Sequence, residues 1–314
     1  MSERSFYSDR VSGPSPRTLE QVTPSAWKGI VALIWQRIAD GSLAEVFPQR
    51  GCLDDPSQIT GTNDATFYDM LEALVPSLQE PTDQWGPSAG ATATLLNPDK
   101  PPPTTTALDV VDFVAQRIAG PIRHRSNYHS YYQHHHLVFD REEGQRQFQA
   151  DVDEIFARNA IAFTIGDDLR VRRLGPPEAR PLLSEFTPDT GDPRLDELLR
   201  TALTRFLSRN ESDRHDALEK LWDAFERVKT LELGGDKRAS IVALISRAAP
   251  TSGLREHLDA EAGALTKIGN SFHIRHSEHG QEELPGSAAM DYLFIRLAAL
   301  IAFLLRQTGR MHPG

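Results

Sequence analysis

The segment Ala288–Leu305 constrains the fold most, because almost every residue in it is apolar. Its length approaches that of a membrane span. Asp291 and Arg296 interrupt it, however, and the apolar run that follows Arg296 extends only from Leu297 to Leu305. A helix that is apolar on nearly all sides otherwise lies in a protein core or at a subunit interface. We therefore expect a buried or interfacial C-terminal helix and no membrane partner.

The cysteine content and the charge exclude several classes of protein. The 314 residues include one cysteine, Cys52, so we expect no disulfide framework, no cysteine-based zinc site and a reducing cytoplasm. No apolar run follows the first charged residues, so we expect no signal peptide. A net charge of −10 disfavours a protein that coats nucleic acid, but it allows an enzyme that holds one or two phosphates. We expect neither a metal nor a cofactor.

Apolar residues recur at helical spacing along most of the chain, which predicts a mainly α fold. The expected helices cover residues 26–38, 65–78, 107–119, 142–158, 195–207, 213–231, 239–248, 254–268 and 287–307. Residues 161–174, with a Gly-Asp-Asp turn, predict one small β-hairpin. The short connections between the last helices indicate an up-down helical bundle at the C-terminal end.

Two proline-rich stretches, at residues 80–106 and 176–188, mark the expected boundaries. We expect an N-terminal helical region with its linker at 1–105, a middle segment with helices and the hairpin at 106–190, and the helical bundle at 191–314. The first two segments can equally form one domain.

The segment from Lys267 to His279 concentrates the chemistry, with Arg275, His276 and His279 close together. An arginine can hold a phosphate through two parallel hydrogen bonds, and a histidine can move protons near neutral pH. The 2′-OH of RNA is an internal nucleophile, so such groups can cleave RNA without a metal. The alternative interpretation is a solvated loop.

Two stretches, Ala217–Thr230 and Leu265–Glu278, resemble HEPN-type abortive-infection proteins of the AbiJ-like group. The resemblance is best over residues 192–307 and looser over 127–174. It implies a HEPN-like helical bundle, a homodimer, and a metal-independent endoribonuclease that acts on RNA in phage defence or as a toxin. An antitoxin or a phage-derived trigger would be a further partner.

The family's signature is an arginine followed, after a spacer of four to six residues, by a histidine. Arg275 with His276 matches its first half, whereas His279 comes after only three intervening residues. Three alternatives follow. His279 serves with a shortened turn, His276 carries the proton chemistry, or the domain is a catalytically inactive module that binds nucleotide, RNA or protein in a defence or regulatory complex.

Two groups of residues supplement this site. Glu226 and Lys229 lie three apart on one helix, where they either orient Arg275 or form a solvated pair, and Asn270 either caps its helix or binds RNA. The histidine-rich segment that includes His134–His136 is the second group. It either clamps single-stranded RNA or forms a structural loop, whereas consecutive histidines diverge too much for an easy metal site. Its candidate RNA contacts are Arg123, Arg125, His129 and Tyr131.

Overall fold

The computed structural model describes residues 6–78, 95–210, 212–272, 274 and 283–312. Helices make up 57% of these described residues, which confirms the expected mainly α class. The chain divides into two compact units, Met1–Arg173 (unit 1) and Leu174–Gly314 (unit 2). The first expected segment and most of the second therefore share one unit, and the boundary lies at residue 173 rather than near 190.

Unit 1 combines helices with short antiparallel strand pairs. Its helices are α1 (Tyr7–Ser12), α2 (Pro24–Ala39), α3 (Asp64–Leu74), α4 (Thr104–Ala115) and α5 (Arg141–Arg158). Its strands are β1 (Pro48–Gln49), β2 (Gly61–Thr62), β3 (Gly120–Ile122), β4 (Tyr128–His129), β5 (His134–His135), β6 (Val138–Asp140), β7 (Phe163–Ile165) and β8 (Val171–Arg173). They pair as β1–β2, β3–β6, β4–β5 and β7–β8.

The β7–β8 pair confirms the expected hairpin, but the expectation of one hairpin alone is wrong. Three further pairs occur among the described residues, built from strands of two or three residues. Strands this short carry no readable alternation of polar and apolar residues. Pro121, inside β3, also argues against a strand when only the sequence is read.

The core of unit 1 lies between α2, α4 and α5, where Trp27, Val111 and Phe148 are fully buried. The indole N–H of Trp27 donates to the backbone carbonyl of Asn97 at 2.8 Å. This bond satisfies a buried donor that would otherwise destabilise the fold. Helix α5 begins one residue before its expected start at residue 142, and the Asp140 side chain caps it by accepting a hydrogen bond from the backbone N–H of Glu143.

Helix α5 also meets strand β3 backbone to backbone. A Cβ built on Gly144, in the first half of α5, would lie well under 3.0 Å from backbone atoms of Gly120 and Ala119. Only a glycine fits there, because any side chain would push the helix away from the strand.

Unit 2 is built from helices packed around one core. They are α6 (Arg180–Ser184), α7 (Pro193–Phe206), α8 (Asp213–Val228), α9 (Lys237–Ala248), α10 (Ser252–Ser271) and α11 (Ser287–Gln307). Trp222 of α8, Leu265 of α10 and Phe294 of α11 are buried together in this core. The ring of Phe294 stacks on that of Phe206, with 3.9 Å between the centroids, and so joins α11 to α7.

Helix α11 is long and apolar enough to cross a membrane by length and composition. Half of its most apolar 18-residue window is nevertheless buried inside unit 2, including Leu297 and Ile301. Arg296, in the middle of the helix, forms an ion pair with Glu261 of α10 at 2.8 Å. Helix α11 is therefore buried on one side and leaves the other face at least partly uncovered.

Candidate functional site

The candidate catalytic residues Arg275, His276 and His279 lie outside the residues that the structure describes. The chain on either side of them is described. Ile274, immediately before Arg275, is only 1% exposed and belongs to the core of unit 2. Leu284, on the other side, also packs against this core. The segment that carries the motif is therefore attached to the helical core at both ends.

Glu226 and Lys229 lie at the C-terminal end of α8 and link three helices. Their side chains form an ion pair, and Lys237 of α9 reaches the same carboxylate at 3.2 Å. Lys229 is 9% exposed, and its ammonium donates to the hydroxyl of Thr266 on α10 at 3.2 Å. The pair is thus a partly buried junction of α8, α9 and α10 rather than a solvated surface pair.

The two lysines also fix the charge of Glu226. Burial alone raises the pKa of its carboxyl, because a buried charge loses hydration. Hydrogen bonds and charges from Lys229 and Lys237 outweigh burial and hold the pKa below its ordinary value of 4.5. Glu226 is therefore ionised at neutral pH, and its proposed role in orienting Arg275 stays a prediction.

We expect Glu226→Gln to lower the free energy of unfolding by roughly 1–3 kcal/mol near neutral pH, because it leaves the buried Lys229 ammonium without its carboxylate. The folded-state pKa lies below the unfolded one, so this stabilisation is fully present above about pH 4.5 and is lost as the pH falls through the folded-state pKa. Urea unfolding of both proteins at about pH 7 and about pH 3 measures the difference, which should shrink at the acidic end.

The matched control is Glu197→Gln on α7, which removes an exposed carboxylate paired with Arg194 at 2.7 Å. Exposed pairs contribute under about 1 kcal/mol. If the difference in the free energy of unfolding between wild type and Glu226→Gln stays constant down to low pH, the electrostatic explanation is contradicted.

Asn270 lies inside α10, which continues to Ser271. Phe272 is the capping residue, and its backbone N–H bonds to the carbonyl of Ile268. The expectation that Asn270 caps this helix is therefore wrong, because the helix extends past it. Asn270 is exposed, and RNA binding by its side chain stays a prediction.

The histidine-rich segment forms the β4–β5 hairpin in unit 1. Tyr128 lies opposite His135, and His129 lies opposite His134. Opposite residues of an antiparallel pair share a face, and so do alternate residues along a strand. His129, His134 and His136 therefore point to one face, where their ring centroids lie 5.3–5.7 Å apart. His135 points to the other face and contacts the ring of Tyr128.

Cys52 lies against the three-histidine face of this hairpin. It is 2% exposed, and its Sγ lies within 4.8 Å of a ring nitrogen of His134 and of His136. These two ring nitrogens also lie within 4.8 Å of each other. The Nε2 atoms of both histidines are buried and have no hydrogen-bond partner within the described part of the chain. Since buried polar atoms are nearly always paired, both nitrogens call for an explanation.

His129, the third histidine on this face, is occupied by hydrogen bonds. Its Nε2 lies 3.1 Å from a carboxylate oxygen of Asp54, and its Nδ1 accepts from the backbone N–H of Tyr132 at 3.4 Å. The Tyr132 hydroxyl donates to the other oxygen of Asp54 at 3.2 Å. Both ring nitrogens of His129 thus hold the hairpin and Asp54 in place, and RNA binding by His129 stays a prediction.

The other three candidate RNA contacts are on the surface. Arg123 donates to the backbone carbonyl of Asp40, and Arg125 is exposed in the short 3-10 turn Arg125–Asn127. Tyr131 is 81% exposed and packs edge-on against Tyr132. Tyr131 and Arg125 present a ring and a cation to solvent, and RNA binding by them stays a prediction.

Sequence reasoning missed the grouping of Cys52 with His134 and His136. Neighbouring histidines do point in different directions, since His135 lies on the opposite face. Alternate residues of an extended strand, however, lie on the same face, as His134 and His136 do. The His-x-His spacing was therefore the available signal. The contribution of Cys52 had no local signal, because it comes from a distant loop.

Comparisons with known proteins yielded no relative of this chain: no family model matches it, and neither does any curated protein or solved structure.

Proposed function

We propose that the chain is a metal-independent endoribonuclease that acts in phage defence by abortive infection or as a toxin. The proposal rests on the resemblance of Ala217–Thr230 and Leu265–Glu278 to HEPN-type abortive-infection proteins. The observation that supports it most is the contact between α8 and α10, which carry the described parts of these stretches. The Trp222 indole donates to the Leu265 carbonyl at 3.2 Å, and Lys229 binds Thr266.

The proposed chemistry needs one arginine and two proton-transfer groups. Arg275 binds the scissile phosphate, and one histidine removes the proton of the 2′-OH as its oxygen attacks phosphorus. A second histidine protonates the 5′ oxygen, which leaves as the P–O bond breaks. Arg275 also stabilises the negative charge of the phosphorane. The products are a 2′,3′-cyclic phosphate and a 5′-OH, and the proton balance closes.

Accurate placement of Arg275 is a condition for this reaction, since catalysis depends on a fixed geometry of the reacting groups. Two observations support such placement. Ile274 is buried in the core directly before Arg275. The preceding helix α10 is held to α8 through the side chains of Trp222 and Lys229.

A homodimer is the second part of the proposal. Helix α11 leaves one stripe at least partly uncovered, made of Ala288, Tyr292, Ile295, Ala299 and Phe303. Their spacing of three or four residues places them on one face of the helix, and Tyr292 is 60% exposed. A two-fold related copy would bury this stripe against itself and bring the same residues of both chains together, as a composite site requires.

We expect Arg275→Ala to reduce RNA cleavage by the purified full-length protein at least about 100-fold, the loss typical of removing one group that stabilises the transition-state charge. Toxicity in cells should fall in parallel. The matched control is Arg200→Ala, which removes an exposed arginine from α7 and should leave cleavage unchanged. Circular dichroism verifies that both variants fold.

A folded Arg275→Ala protein that cleaves RNA as fast as wild type contradicts the proposal. His276→Ala and His279→Ala, measured singly, identify the histidine that moves the proton. If wild type binds RNA or nucleotide but leaves RNA intact, the second candidate function is supported, a catalytically inactive binding module. The shortened spacing before His279 and the net charge of −10 favour that second candidate.

A further inference from the structure

We propose that Cys52, His134 and His136 bind a zinc ion. This site lies in unit 1 and is independent of the proposed ribonuclease in unit 2. The donor set is one thiolate and two imidazoles, a combination that suits zinc and that Mg²⁺ and Ca²⁺ disfavour because they prefer oxygen ligands.

The distances are close to those of a tetrahedral site. Zinc binds sulfur at about 2.3 Å and imidazole nitrogen at about 2.0 Å, so ligand atoms around it are about 3.5 Å apart. The Cys52 Sγ and the two histidine nitrogens already lie within 4.8 Å of one another. Side-chain rotations that move these atoms by roughly 1 Å would bring all three to the spacing of zinc ligands.

The unpaired Nε2 atoms of His134 and His136 also favour a bound metal ion. Both are buried and accept or donate no hydrogen bond within the described residues. A buried polar atom without a partner destabilises a fold by about 1–3 kcal/mol. A metal ion satisfies nitrogen lone pairs at the place where the structure offers them no other partner.

The backbone holds the two ligand-bearing segments together. The N–H of Leu137, next to His136, donates to the carbonyl of Ile59 at 2.8 Å. Thr60 in turn donates to the carbonyl of Gln49 at 2.9 Å, which closes the loop that carries Cys52. The ligands therefore come from segments that are already joined, and binding requires little further ordering of the chain.

The surroundings of the proposed site include a carboxylate that can balance the charge of the ion and a cleft through which water can enter. The Asp54 carboxylate pairs with His129, whose ring centroid lies 5.5 Å from that of His134, and it offsets part of the positive charge of the ion. His129 and His136 also line an open cleft of about 300 Å³. We assign the fourth coordination position to a water molecule that enters from this cleft. Binding converts the Cys52 thiol to a thiolate, and its proton is released to solvent without any redox change.

The test uses the full-length protein, stripped of metal and titrated with Zn²⁺ alone, and separately with Co²⁺ as a spectroscopic substitute. We expect one Zn²⁺ per chain with a Kd on the order of 1 µM or tighter. Co²⁺ should give the absorption of a tetrahedral site together with a thiolate-to-cobalt charge-transfer band. His134→Ala and His136→Ala should each weaken binding at least about 100-fold, and Cys52→Ser should abolish the charge-transfer band.

The matched control is His135→Ala, which removes the histidine of the same strand that points to the opposite face. It should bind Zn²⁺ as wild type does. Absence of the charge-transfer band in wild type overturns the proposal and requires no variant to fold. Equal loss of binding in His135→Ala and His134→Ala also overturns it, because binding would then depend on the histidine run as a whole. Neither result bears on RNA cleavage.

Discussion

Gly144→Ala should destabilise unit 1 by more than about 4 kcal/mol, enough to leave much of it unfolded. The new methyl group would lie well under 3.0 Å from backbone atoms of Gly120 and Ala119. Backbone atoms cannot rotate away as a side chain can, so α5 and β3 would have to separate. The separation would open the core around Phe148, which lies one turn further along α5. Urea unfolding followed by circular dichroism measures the loss.

Gly29→Ala is the matched control in the same unit. Gly29 is also in a helix, α2, but the atoms nearest to a Cβ there belong to the Ile155 side chain, at an ordinary 3.5 Å. Alanine is a better helix former than glycine by about 0.8–1.0 kcal/mol, so this variant should be as stable as wild type or more stable. If both alanine variants unfold at the same urea concentration, the close approach of α5 to β3 does not exist.

Gly269→Ala should destabilise unit 2 by roughly 3 kcal/mol, at the upper end for an overpacked core. Its methyl group would lie well under 3.0 Å from the indole of Trp222. That ring is fully buried and is fixed by its hydrogen bond to Leu265 at 3.2 Å, so it has no open space to move into. The end of α10 would shift. If the chain is the ribonuclease proposed above, RNA cleavage should fall together with the free energy of unfolding, because Arg275 comes four residues after the end of α10.

Two controls isolate this contact. Gly263→Ala lies in the same helix, where a Cβ meets nothing within 4 Å, and should not destabilise the protein. In Trp222→Phe the smaller ring leaves room for the new methyl group. Adding Gly269→Ala to this variant should therefore lower the free energy of unfolding clearly less than Gly269→Ala does in wild type. Strict additivity of the two substitutions would show that they do not touch.

The sequence predicted most of the helices and where they begin and end. The apolar spacing around Trp222 predicted α8, and the helix expected over residues 142–158 is α5. Pro76 shortened the helix expected over residues 65–78, which ends at Leu74, since proline offers no N–H to continue it. Such features are readable because each depends on residues a few positions apart.

Features that depend on distant residues were not readable. Gly144 looks like a weak point in a helical pattern, and only its proximity to Gly120 explains it. Cys52 looked solitary until the fold placed it beside His134. For the candidate catalytic site the sequence remains the source of the prediction, because Arg275 lies outside the described residues. The structure adds the buried anchor at Ile274.

The residues shortly before α7 and those shortly after α11 run side by side. Pro188 forms an antiparallel bridge with Met311, and the backbone N–H of His312 donates to the carbonyl of Thr187 at 3.1 Å. Arg310 also binds Glu232 at 2.7 Å, which ties this stretch to the segment after α8. A helical bundle whose first and last residues lie side by side can be inserted into a loop of another protein, or circularly permuted, without displacing its helices.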